Sequence, residues 1–112
     1  MFAVALASCI APTLPVPPPS EPESVTLDAV KGKVTIVGKA GSVEPGATVH
    51  VTNYTLQNDK VRCAGTCAYG WDKQAETNGS YAITVDGQSK DLLYLTQLVK
   101  GGESGAVEIK VP

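Results

Sequence analysis

The last apolar stretch of the chain, AVEIKVP, sets Val107, Ile109 and Val111 at every second position with Glu108 and Lys110 between them. A period of two marks a strand with one face in a core and one in water, because successive Cβ atoms point to opposite faces. The same period recurs upstream. Val25 and Leu27 share a face in VTLDA, Val34 and Ile36 in KVTIVGK, Val49 and Val51 in TVHVTNYTL, and Tyr81, Ile83 and Val85 in YAITV. In TVHVTNYTL the phase slips near Asn53, and Tyr54 and Leu56 take the apolar positions. LLYLTQLV is apolar on both faces, with Leu93 and Leu95 as its expected core residues. Turn residues separate the runs: Gly41-Ser42, Glu44-Pro45-Gly46, Asn78-Gly79, Asp86-Gly87 and Gly101-Gly102. Asn78-Gly79 is expected to form a type I′ hairpin, since both residues tolerate positive φ. Six or seven short strands at this spacing predict an all-β fold, an antiparallel sandwich over residues 25–112. Eleven Gly, eight Pro and a single Met agree with strands and turns rather than helices.

Composition narrows the function classes. Nine basic side chains against eleven acidic ones leave a net charge of −2, which offers no electrostatic footprint for nucleic acid. No apolar run approaches the ~20 residues that span a bilayer, so any membrane attachment is expected to be an anchor. The carboxylates are scattered singly through turns and outer faces, with no nucleophile beside a base and no paired carboxylates. His50, the single imidazole, alternates with Val49 and Val51 and should lie on an outer face. Calcium is conceivable at the turns holding Asp72, Asp86 or Asp91, although DxDxDG spacing is missing. The expectation is a non-catalytic protein with no cofactor and no metal.

The amino-terminal stretch contains Leu6-Ala7-Ser8-Cys9, with eight uncharged residues ahead of the cysteine. It resembles the lipobox of bacterial lipoprotein signal peptides. The resemblance implies cleavage before Cys9, a thioether-linked diacylglycerol on its sulfur, and further acylation (palmitate among the chains) of the new amino group. Two or three chains anchor stably where one is marginal. Residues 1–8 would then be a signal peptide. No Lys or Arg precedes Cys9, so the basic region of such a signal is expected upstream of Met1. From Pro12 to Ser24 the chain carries six prolines and two glutamates, and residues 9–24 read as a lipidated cysteine with an extended, polyproline-like linker. At ~3.1 Å per residue such a spacer would reach about 40 Å.

GSVEPGATVHVTN, followed by AETNGSYAITV, is similar to bacterial Ig-like domains. The correspondence runs from about Val30 to Pro112 and rests on Pro45, Gly46, Asn78 and Gly79. It implies an Ig-like β-sandwich acting as a spacer, adhesive or interaction module of an envelope protein. Transthyretin-like regulatory modules of carboxypeptidases share the Asn/Asp-Gly-Ser-aromatic signature, so an accessory domain of that kind stays open.

The chain departs from the Ig-like pattern in NDKVRCAGTCAYGWDKQAET. Cys63 and Cys67 are four apart, with Gly65 available for a tight turn. In an oxidising compartment they are expected to form a small disulfide clamp, with free thiols as the alternative. Two thiolates supply only half of a tetrahedral zinc site, and a redox pair would prefer CxxC spacing. Tyr69 and Trp71 follow the clamp. They are either a binding surface, because rigid aromatics offer area at low entropic cost, or, for Trp71, a cap on the sandwich. Two function classes follow. One is a lipid-anchored structural or adhesion-type module of the bacterial envelope, at the outer membrane or cell surface, meeting an envelope protein or glycan. The other is a ligand-binding or inhibitor-type module acting through the Cys63–Trp71 loop.

Overall fold

The computed structural model describes residues 15–64, 67–100 and 102–112. Cys9 and the rest of the LASC stretch lie outside the described residues, as do Gly65 and Gly101. The strands are β1 (Ser24–Asp28), β2 (Lys33–Gly38), β3 (Thr48–Asn53), β4 (Gly70–Gln74), β5 (Tyr81–Asp86), β6 (Leu92–Val99), the two-residue β7 (Gly102–Glu103) and β8 (Val107–Lys110). A single helical turn, α1 (Tyr54–Gln57), follows β3. All pairings are antiparallel. One sheet runs β1-β2-β5; the other runs β4-β3-β6, with β7 and β8 both on the far side of β6. The fold is the all-β sandwich that the two-residue period predicts. Its first–second, second–fifth, third–sixth and sixth–last pairings are those of strands A–B, B–E, C–F and F–G in immunoglobulin-type sandwiches. β4 joins β3 rather than β5.

The inward rows are the alternating residues of the sequence. Val34, Ile36, Val49, Val51, Leu93 and Leu95 are wholly excluded from solvent, and Ile83, Val85, Ile109 and Val111 nearly so. Each such side chain stabilises the fold by roughly 1.5–3 kcal/mol. Val25 and Leu27 are only half-buried because β1 is an edge strand. Polar residues close the rows: Asn53 continues Val49 and Val51, Gln97 continues Leu93 and Leu95, and both are buried.

Several expectations are corrected. The phase slip after Asn53 is a change of structure, not of face. The Asn53 side chain accepts the Leu56 N–H and caps α1, so Leu56 is buried while Tyr54 turns outward. β4 forms within the stretch expected as loop, and the seven strands of four or more residues, joined by the two-residue β7, match the six or seven expected. The Asn78-Gly79 turn is not type I′, since only Gly79 has positive φ there. Gly79 N–H donates to the Glu76 carbonyl at 2.9 Å and Glu76 N–H to the Ser80 carbonyl at 2.8 Å, the three-residue hairpin with a glycine bulge. Glycine is required: a Cβ on Gly79 would collide with the Val43 carbonyl oxygen. Gly38 is required for another reason, because the Tyr81 ring opposite lies flat over its Cα.

The proline-rich segment is not a free spacer over its whole length. Gln97 Nε2 donates to the Pro17 carbonyl (2.8 Å), Ser20 N–H to the Ser42 carbonyl (2.9 Å) and Glu23 N–H to the Val37 carbonyl (2.8 Å), and Pro19 is buried. Residues 17–23 therefore belong to the surface of the sandwich. They lie at one end, among the connections 39–47, 75–80 and 102–106. The opposite end is built from residues 29–32, 54–64, 67–69 and 87–91.

Candidate functional site

The far end is organised by polar residues in inward register. Asn53 and Asp91 are almost completely buried, and a buried polar group is tolerated only with partners. Asn53 Nδ2 donates to the Asp86 carbonyl (3.0 Å) and to Asp91 Oδ2 (2.9 Å). Arg62 meets Asp91 in a bidentate pair, Nη1 to Oδ1 and Nη2 to Oδ2, both at 2.9 Å. Gln88 N–H donates to Asp91 Oδ2, and Val111 N–H to the Asp91 carbonyl. Burial pushes the Asp91 carboxyl up, but hydrogen bonds from Arg62, Asn53 and Gln88 outweigh it and hold the group below its ordinary value. The same hydrogen bonding, donated to Asp91 and opposed by a smaller desolvation effect, raises the Arg62 guanidinium.

This network fixes the cysteine loop. Asp59 Oδ1 accepts the Val61 and Arg62 N–H groups, and Cys63 N–H donates to the Asp59 carbonyl. Arg62 thus leaves its turn aimed at Asp91. Cys63 and Cys67 form the expected disulfide, with Cα atoms 5.1 Å apart. The return arm is held by Asn53 N–H, which donates to the Tyr69 carbonyl at 2.7 Å and starts the β3–β4 ladder. The loop is pinned on both arms and clamped between them.

Trp71 is the second residue of β4, and Tyr69 immediately precedes the strand. Trp71 pairs with Val51 and packs, half-buried, against the core at the sandwich's side, while Tyr69 is 40% exposed. Trp71 covers an edge rather than an end. On the outer face of the same sheet, Tyr54 and Tyr94 make an edge-to-face pair with centroids 5.3 Å apart. His50 lies there too, its Nδ1 joined to Asp72 and its Nε2 3.1 Å from Thr52 Oγ1. Asp72, Asp86 and Asp91 are each engaged by a side chain, namely the His50 imidazole, Lys33 and Arg62, which leaves none of them as an open calcium ligand. Among the described residues no group of three or more His, Cys, Asp or Glu is placed to hold a metal, and no helix is long and apolar enough to cross a membrane.

Sequence reasoning missed Asn53 and Arg62 and read Asp91 only as a turn residue. The signal was parity: Asn53 is in phase with Val49 and Val51, and Asp91 with Leu93 and Leu95. A polar residue on the inward beat asks for a buried partner. Comparison of the chain with family models, with curated proteins and with solved structures finds no match.

Proposed function

We propose that this protein is a lipid-anchored bacterial envelope protein whose Ig-like sandwich is a non-catalytic interaction module. The observation that carries the reading is the opposed placement of the two individual features of the chain. The tether joins the sandwich at one end, and the clamped cysteine loop stands at the other. A module held by Cys9 would therefore turn its stiffened loop away from the membrane. The docked residues 17–23 support a set orientation, because the stretch from Cys9 to Val16 would span at most about 25 Å. The strand pairing order supports the Ig-like assignment.

The test is expression in a bacterium behind a complete export signal. The protein should partition into detergent and carry lipid mass on its amino terminus, and Cys9→Ser should release it or leave it unprocessed. Unchanged partitioning of that variant would defeat the reading.

A further inference from the structure

Charge is distributed unevenly along the sandwich. Residues 28–33, 53–64, 67–70, 86–92 and 110–112 of the far end hold six basic side chains (Lys31, Lys33, Lys60, Arg62, Lys90 and Lys110) against four acidic ones. The rest of the chain holds three basic against seven acidic. An acidic protein thus ends in a basic tip. The tip's four carboxylates are occupied: Asp28 by the Lys31 N–H, Asp59 by the Val61 and Arg62 N–H groups, Asp86 by Lys33 and Asp91 by Arg62. Lys31, Lys60 and Lys90 take part in no ion pair among the described residues.

Two further features sit on the same end. Lys90 has φ 70°, the single non-glycine residue among those described with a left-handed backbone, at the turn position where Gly or Asn fits best. Strain of this kind gathers where a side chain is kept for use. Val30 and Val61, 97% and 88% exposed, stand on separate connections there. Two grooves of about 380 and 280 Å³ share Gly32, Gly87 and Gln88 in their linings; the first adds Lys31 and Val30, the second Arg62 and Cys67.

We infer that this tip docks an acidic segment of a partner protein in which carboxylates alternate with apolar side chains. The unpaired lysines meet the carboxylates, and the grooves with Val30 and Val61 take the apolar groups between them. Complementary charge at an exposed end speeds encounter and selects partners. The interspersed apolar surface favours a protein segment over a uniformly anionic polymer. The inference rests on the interaction-module reading but not on the lipid anchor, so binding is measured on the Cys9→Ser chain. The probe is a labelled peptide of alternating Glu and Leu, followed by fluorescence anisotropy. It should bind with an affinity that falls on adding salt. Lys31→Glu/Lys60→Glu/Lys90→Glu should weaken binding about tenfold or more. Lys39→Glu/Lys73→Glu/Lys100→Glu, with the same net charge change elsewhere, should leave it within about twofold. Lys90→Gly should raise the melting temperature and still weaken binding, which separates recognition from folding. Equal loss in both triple variants, or no binding of the peptide, would overturn the tip. Alginate or phosphatidylglycerol vesicles binding as tightly as the peptide would overturn the protein-segment assignment.

Discussion

Replacing Arg62 by Met tests whether one ion pair holds the cysteine loop to the sandwich. The substitution keeps a long apolar stem and deletes the guanidinium. Asp91 is then left buried with only Asn53 and the Gln88 N–H as side-chain partners. Removing one member of a fully buried pair costs about 3–5 kcal/mol. The Arg62 side chain is 21% exposed against 4% for Asp91, and two hydrogen bonds to the carboxylate survive, so the expected loss is roughly 2–3 kcal/mol. In a domain of this size that lowers Tm by about 10–20 °C. The pH dependence should change sign. In the native protein the Asp91 carboxyl is held below its ordinary value, so its contribution is present above the unfolded pKa of ~3.9 and is lost as pH falls through the folded one. Removing Arg62 takes away the largest of the hydrogen bonds that offset burial, so the carboxyl should move up. The variant should therefore regain stability as pH drops from neutral toward 5, and adding Asp91→Asn should recover part of the loss at pH 7. Urea melts at pH 5 and 7 measure both effects, and hydrogen exchange should show faster opening across residues 58–69. A variant within ~0.5 kcal/mol of the parent, with an unchanged pH slope, would refute the account.

Three other outcomes are expected. Tyr81→Phe removes a buried hydroxyl with no hydrogen-bond partner while keeping the ring over Gly38, so the variant should melt at or above the parent, by up to ~1 kcal/mol. Burial, with help from Glu21, pushes that phenol up to about 12. The unfolded chain therefore releases its proton first as pH climbs past ~10, and native stability falls by roughly 2–3 kcal/mol up to pH 12, a loss Tyr81→Phe should abolish in alkaline melts. Gly79→Ala should cost about 2 kcal/mol or more in thermal unfolding, from the left-handed φ and the Val43 carbonyl together. Gly41→Ala, with the same kind of φ but open space, should cost about 1 kcal/mol. Reduction of Cys63–Cys67 should shift Trp71 fluorescence and cost ~1–2 kcal/mol with the far-ultraviolet circular dichroism unchanged, because no sheet pairing depends on so local a link.

The alternation of apolar residues determined which faces of β2, β3, β5 and β8 are buried, and with them the sandwich, since a strand has only two faces and one must leave water. The proximity of Cys63 to Cys67 was determined by their separation of four residues. β4 was hidden because it is an edge strand with four of its five residues exposed, so no buried face imposed a period on GWDKQ. The docked proline segment was hidden because it is held through its own backbone carbonyl and N–H groups, which carry no side-chain signature. The parity of Asn53 and Asp91 demanded partners without saying which. Arg62 and Asp91 are 29 residues apart and meet only when β3 pairs with β6, setting Asn53 opposite Leu93, and α1 turns the chain back across their end. The choice of partner, the edge position of Trp71 and the opposed placement of tether and loop were decided by tertiary structure. Periodicity assigns a side chain to a face; only the packing of one sheet on another sets what that face meets.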